Sequence, residues 1–362
     1  MKSYHLPLKD SNVSAFTLVE ILVSLAVLTI LLLINAEVIG QVQSTWSASN
    51  ARVSQFREAR TAFDIITRNL SQATLNSYVD YTANYLAQPG VPVGVAAAPG
   101  GYRRNSDLHF ISGPAATLVN ATGGGAGSLP GHAVFFQAPL GITESPSLVG
   151  LDRLLCGRGY FVQYTSDAAF APSFLPPGDF HYRYRLMEYS PPAERNAIYS
   201  SPNWYADAGA AINIEETATN ISNTRPVADN ILALIISPRR ELTVYDEAES
   251  PTGPTGIAND YNYDSRVLDN ASPPDSPQGT QHLLPPLIRV VLVAIDEKSA
   301  QKLEEASGSG SSPPLGAELD KFSQANRLDK EIEQVVTELR AQKLNYRVFS
   351  ATIQLRGAKW SL

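Results

Sequence analysis

Residues 12–34 read NVSAFTLVEILVSLAVLTILLLI, and the rest of the chain is organised around them. From Phe16 to Ile34 there is one charge, Glu20, and neither Pro nor Gly. A helix of that length spans about 28 Å, close to the thickness of a bilayer's hydrocarbon layer. A membrane helix is the first reading. Its flanks differ from those of an ordinary secretory signal, whose apolar stretch is uncharged and precedes the small residues of a cleavage site. Here Lys2 and Lys9 make a basic start with Asp10 against them, and the small residues Ser14 and Ala15 come before the apolar run. A carboxylate inside an apolar helix is costly and calls for a partner.

The run Ala15, Phe16, Thr17, Leu18, Val19, Glu20, followed by an apolar helix, resembles the class III signal of type IV prepilins and type II secretion pseudopilins. Ala15 stands where that family normally has Gly. The resemblance implies cleavage after Ala15 by a prepilin peptidase and methylation of the new N-terminus, Phe16. It also implies that Glu20 registers subunits by pairing with the free α-amino group of a neighbour, which would neutralise a charge otherwise alone in lipid. The plainer alternatives are an uncleaved anchor and a Glu20 that sits near the headgroups.

Beyond Ile34 the helical pattern continues. Trp46, Val53, Phe56, Ala59, Phe63, Ile66, Leu70 and Ala73 form one stripe, with Arg52, Arg57, Arg60, Asp64 and Arg68 between them. One helix is expected from Phe16 to about Asn76, roughly 90 Å if unbroken, with a bend at Ser47–Asn50. The segments are then a leader at 1–15, a transmembrane and assembly helix at 16–34, its amphipathic continuation at 35–76, and a globular domain at 77–362. The set Phe63, Ile66, Arg68, Leu70, Gln72 and Ala73 is similar to the helix end of J-type minor pseudopilins.

Strands are expected at Leu108–Ser112, Ala133–Ala138, Tyr160–Thr165, His181–Glu188, Asp229–Ser237, Leu287–Ile295 and Asn345–Leu355. Pro238 is expected to stop the fifth of these. Helices are expected from Asp296 to Glu305 and from Ala317 to Leu339. Residues 241–286 read as a long polar loop. The fold class is therefore α+β, pilin-like: a long N-terminal helix packed on an antiparallel sheet. Three stretches, Pro226–Arg239, Leu284–Leu303 and Leu344–Trp360, resemble the C-type protein of the Verru_Chthon cassette, a group of prepilin-like proteins of Verrucomicrobia and relatives.

The remaining chemistry is sparse. With 35 acidic and 28 basic residues the formal charge is −7, which gives no general attraction to nucleic acid. The aromatic-basic alternation of HYRYRLME reads as a half-buried strand with Arg183 and Arg185 toward solvent. Cys156 is the only cysteine, so no intrachain disulfide or cysteine cluster can form. The histidines, His5, His109, His132, His181 and His282, show no HExxH spacing. No GxSxG elbow occurs, and the glycines at 123–127 lack the Lys-Ser or Lys-Thr of a phosphate loop. Asp260, Asp264 and Asp269 could gather a hard cation in three dimensions, although the calcium-loop spacing is absent.

The functional reading is a structural subunit, not an enzyme, with no cofactor and no metal. Its implied partners are a prepilin peptidase/methyltransferase, other prepilin-like subunits and the inner membrane. The leader would be cytoplasmic and the domain periplasmic. The alternatives are a membrane-anchored module that binds a ligand or partner without filament assembly, and an anchored enzyme with a site built from distant residues.

Overall fold

In the computed structural model the described residues are 17–81, 102–119, 129–151, 153–169, 180–209, 223–240, 257–267, 278–307, 313–319 and 321–358. The chain divides into two units, Met1–Val53 and Ser54–Leu362. Helix α1 runs from Leu18 to Leu70. The backbone stays helical through Ser47–Asn50. Helix α1 stops before Asn76 for a visible reason. The N–H groups of Gln72 and Ala73 close a tighter turn onto Asn69 and Leu70, and the chain then enters the sheets.

The domain is built from antiparallel pairs. Strands β1 (Tyr78–Tyr81) and β2 (Tyr102–Asn105) form a two-stranded ribbon. Strand β3 (Ile111–Pro114) leads into the short helix α2 (Ala115–Leu118), followed by β4 (His132–Pro139), β5 (Leu155–Ser166), β6 (Tyr182–Tyr189), β7 (Thr224–Asp229), β8 (Ile231–Arg239) and β9 (Tyr263–Asp264). Strand β10 (Leu287–Ile295), helices α3 (Glu297–Ala306), α4 (Gly316–Leu319) and α5 (Leu328–Ala341), and strand β11 (Tyr346–Gln354) complete the order. The larger sheet has six strands in the order β7-β6-β5-β4-β3-β9, and the smaller has three, β11-β10-β8. The apolar run LIRVVLVAI is the centre of the smaller sheet, as its burial on both faces requires.

The stripe on the second part of α1 is core. Ala59, Ala62, Phe63, Ile66, Leu70 and Ala73 are all buried. Phe63 meets the ring of Phe349 on β11 at 5.9 Å. Asn69 reaches Tyr160 on β5 at 2.8 Å. The helix therefore packs on both sheets. On β5, Gly157 and Gly159 make room for an aromatic cluster. A Cβ at Gly157 would lie 2.9 Å from the Trp204 ring, and one at Gly159 would overlap the Phe135 ring. Phe135 and Tyr205 then stack at 4.6 Å.

Several details depart from the sequence reading. Strand β8 runs through Pro238, which pairs with Ile288. Because β8 is an edge strand, the missing N–H can face away from the ladder. Strand β7 is additional to the strands expected from the sequence, and the Ala317–Leu339 segment is divided: between α4 and α5 the described residues 321–324 are non-helical and Ala325–Arg327 make a 3-10 turn. The 241–286 stretch is partly core: Ile257, Ala258, Tyr261, Tyr263, Leu283 and Leu284 are buried, and β9 pairs with β3. The rest of it, 241–256 and 268–277, lies outside the described residues, as does the 123–127 glycine run.

Arg185 is the clearest correction. It is 3 % exposed, with Nε donating to Asp229 at 2.9 Å, an Nη to the Thr165 carbonyl at 2.6 Å, and the other to Asp167. Arg185 is buried at a position where β6 pairs with β7, so its charge must find acids, and the paired residue Asp229 is one of them. Arg183 is half-buried and pairs with Glu297 at 2.5 Å.

Candidate functional site: the N-terminal helix and its tie to the domain

The sequence placed the site at the head of α1. Ala15 and Phe16 lie outside the described residues; Thr17, Leu18, Val19 and Glu20 are described. Thr17 is the cap. Its Oγ1 accepts from the Glu20 N–H at 3.3 Å, and its carbonyl accepts from Glu20 at 3.0 Å and Ile21 at 3.3 Å. Thr-x-x-Glu is the pattern of a capping box, in which the glutamate would reach back to the cap residue's N–H. Only the threonine half of the box is made. Among the described residues, no group bonds the Glu20 carboxylate.

From Leu18 to Ser47 the helix is long and apolar enough to cross a membrane. Its thirty residues rise ~45 Å. Its large apolar side chains point in every direction and are exposed, from Leu18 at 78 % to Trp46 at 70 %. A helix apolar on all sides is a solution to lipid or to a bundle of like helices, not to water. Its small polar side chains are satisfied within the helix. Ser24 bonds the Glu20 carbonyl at 2.7 Å, Thr29 the Ala26 carbonyl at 2.8 Å, and Asn35 the Leu31 carbonyl at 2.8 Å. Such back-bonding lets a hydroxyl or amide sit in an apolar medium. Glu20 is the group in the first turns that this device leaves unserved.

In the domain, Asn69 sits on the buried stripe, and its amide donates to the Tyr160 hydroxyl. Tyr160 donates in turn to Glu188 at 2.7 Å, and Arg158 lies 3.5 Å from the same carboxylate oxygen. Burial, then the Glu188 charge, push the Tyr160 phenol well above its ordinary range, so it remains a donor at any physiological pH. The sequence reading missed this relay. Its signal was an asparagine between Ile66 and Ala73 at core spacing, where an apolar residue would be ordinary.

The scattered candidates are structural. His109 uses both ring nitrogens, Nε2 with Asp264 at 2.8 Å and Nδ1 accepting from Trp204 at 3.3 Å. It is a strut that joins β9 to the Trp204 turn. His132 is buried 4.5 Å from the Tyr261 ring, with Nδ1 accepting from the Ile236 N–H at 3.1 Å. Burial lowers its pKa to about 4. Cys156 is buried, and burial raises its thiol pKa. Of the three aspartates considered for a cation, Asp264 is committed to His109, and Asp269 lies outside the described residues. Among the described residues, no three His, Cys, Asp or Glu side chains converge as a metal site.

A family model described as the prokaryotic N-terminal methylation motif matches residues 10–34. No curated protein matches the chain, and no solved structure does. The matched segment contains the motif and the first turns of α1 and stops before the domain. The motif, together with a long helix packed on antiparallel sheets, supports a pilin- or pseudopilin-like architecture.

Proposed function

We propose that this chain is a minor pilin-like or pseudopilin-like structural subunit of an inner-membrane filament or secretion-type assembly. A prepilin peptidase/methyltransferase removes residues 1–15 and methylates Phe16. The leader is cytoplasmic and the domain periplasmic. The helix then enters a bundle with related subunits, and the Glu20 carboxylate pairs with a neighbour's α-amino group. In this reading the chain's role is structural rather than catalytic. The observation that carries this reading is Glu20 itself: a carboxylate without a partner among the described residues, in the first turn of a helix that is apolar all round. The size of the domain favours a minor or tip position over a major subunit.

Two measurements test the proposal. Intact mass of the membrane-extracted protein should equal residues 16–362 plus one methyl group; a mature chain that keeps Met1–Ala15 overturns the processing step. Co-purification in mild detergent should bring down other prepilin-like proteins, and Glu20→Ala should abolish that association. A plain anchored binding module would keep its partner when Glu20 is replaced, which separates the two readings.

A further inference from the structure

The edge of a sheet presents a row of unpaired N–H and C=O groups, which proteins usually block. In this domain most edges are blocked by identifiable groups. The bonds that continue the β10–β11 ladder are those from the Asp296 N–H to the Asn345 carbonyl and from the Leu355 N–H to the Pro286 carbonyl. Because bonded and non-bonded pairs alternate in an antiparallel ladder, they fix which residues face outward across the three-stranded sheet. On β8 these are Leu234, Ile236 and Pro238. Gly131 bridges to Leu234, the His132 ring accepts the Ile236 N–H at 3.1 Å, and Pro238 has no N–H. On β2, the Gln278 side chain bonds both the N–H and the carbonyl of Arg104. Strand β7 has a register shift against β6, contains Pro226, and gives the Asp229 N–H to Glu58 of α1. Strands β1 and β9 are only four and two residues long.

Strand β11 lacks these devices. It pairs with β10 over all nine residues without a register shift, contains no Pro, and forms an edge of its sheet. The same alternation turns the N–H and C=O groups of Tyr346, Val348, Ser350, Thr352 and Gln354 to the open side, where nothing among the described residues bonds them. The side chains form two rows. Phe349, Ala351 and Ile353 lie half-buried on the α1 face, with Phe349 against Phe63. Ser350, Thr352 and Gln354 are exposed on the α5 face, where the Tyr346 hydroxyl accepts from Arg340 at 2.8 Å. The one charge on the strand is Arg347, at the start of the α1-side row. It is exposed, its guanidinium lies 5.5 Å from the centre of the Phe349 ring, and it forms no ion pair among the described residues.

We infer that the β11 edge is a docking site for an extended segment of another polypeptide, which joins the smaller sheet as a fourth strand. The segment alternates apolar and polar residues. Its apolar side continues the row of Phe349, Ala351 and Ile353, and it carries an acidic residue beside Arg347. Backbone bonds supply the affinity, and the two rows set the register. The β11 of a second copy has no acid to offer Arg347. Two copies paired antiparallel through it would also run residues 54–70 of α1 in opposite directions, at odds with two chains anchored in one membrane. The choice of a different polypeptide therefore rests in part on the anchoring proposed above.

The test uses the full chain in mild detergent and the capped peptide Thr-Val-Thr-Val-Ser-Val-Thr-Glu-Thr, whose glutamate falls beside Arg347 in antiparallel pairing. Amide hydrogen exchange is read at residue resolution. In the free chain the amides of Val348, Ser350 and Thr352 should exchange at least about tenfold faster than those of Phe349 and Ala351, and saturating peptide should remove the difference. Lysine in place of the peptide's glutamate should weaken binding by about tenfold, and Arg347→Glu should reverse that preference. Thr352→Pro deletes an outward N–H while sparing the ladder to β10. It should abolish peptide binding with the thermal midpoint close to wild type; if that variant does not fold, the charge exchange still decides. Three results overturn the proposal: protection of these amides without peptide, no added protection at millimolar peptide, or a concentration-dependent dimer that Thr352→Pro dissolves. Neither cleavage after Ala15 nor Glu20 enters the peptide measurement, so its failure is distinguishable from failure of the subunit reading.

Discussion

Two stretches of helix α1 share one secondary structure and have opposite surroundings. Between Leu18 and Ser47 the large apolar side chains are exposed. Between Ala59 and Leu70 they alternate with charges, and their apolar face is sealed, Ile66 and Leu70 completely. The second stretch has found its neighbours within the chain. The first presents the same kind of side chain to whatever lies outside it. Helical propensity is common to both; the arrangement of polar residues around the axis decides which becomes core and which stays open to a lipid or subunit partner.

The comparison can be broken most directly by truncating one residue from each stretch. Leu70→Ala should cost the domain about 2–5 kcal/mol, the usual range for a buried leucine. Leu22→Ala should leave urea denaturation of the detergent-solubilised chain unchanged. Equal losses would mean that the two stretches are not energetically distinct.

A pH series should place the next largest effect in the domain. His132 is neutral when folded, with its pKa lowered to about 4. Below the unfolded-state value the unfolded chain takes up a proton that the folded chain refuses. Stability therefore falls as pH drops from about 6.5 to about 4, by up to about 3 kcal/mol, and this contribution levels off below that. His132→Asn keeps an acceptor for the Ile236 N–H and should flatten that part of the curve. An unchanged slope would assign the loss to other groups.

Tyr160→Phe leaves Asn69 and Glu188 without their shared hydroxyl and should cost about 1–3 kcal/mol. Combining it with Asn69→Ala in a double-mutant cycle should show the two losses to be non-additive. Additive losses would mean that the relay is not one unit. At the small end, Glu20→Ala should change domain stability by less than about 0.5 kcal/mol, as surface replacements do, while eliminating subunit association. A large stability loss from Glu20→Ala would tie that carboxylate to the fold and remove the contrast between the stretches.

Much of this architecture was legible because its signals are periodic. The apolar run at 16–34 and the stripe ending at Ala73 are patterns a reader can count, and LIRVVLVAI is too apolar to be anything but interior. What escaped the sequence depends on neighbours distant along the chain. Pro238 reads as a stop until β8 proves to be an edge strand. Arg185 reads as solvent-facing until β7 pairs beside it and supplies Asp229. Tyr261 and Tyr263 lie in a polar stretch, and only the pairing of β9 with β3 explains their burial. The candidate site divides in the same way. Thr17 to Glu20 were legible as a motif, whereas the relay from Asn69 through Tyr160 to Glu188 joins residues 91 and then 28 positions apart, beyond any local pattern.

The junction at the end of α1 also has a mechanical meaning. There the chain is stitched to both sheets at once. The Thr74 N–H bonds Gln137 on β4 at 2.9 Å, and Arg356, just past β11, donates to the Ser71 carbonyl at 3.3 Å. With Asn69 held by Tyr160, a load on the end of the helix would divide between the two sheets. A subunit pulled by its N-terminal helix would thus carry its domain as cargo on a forked coupling, and rupture of one branch would leave the other holding.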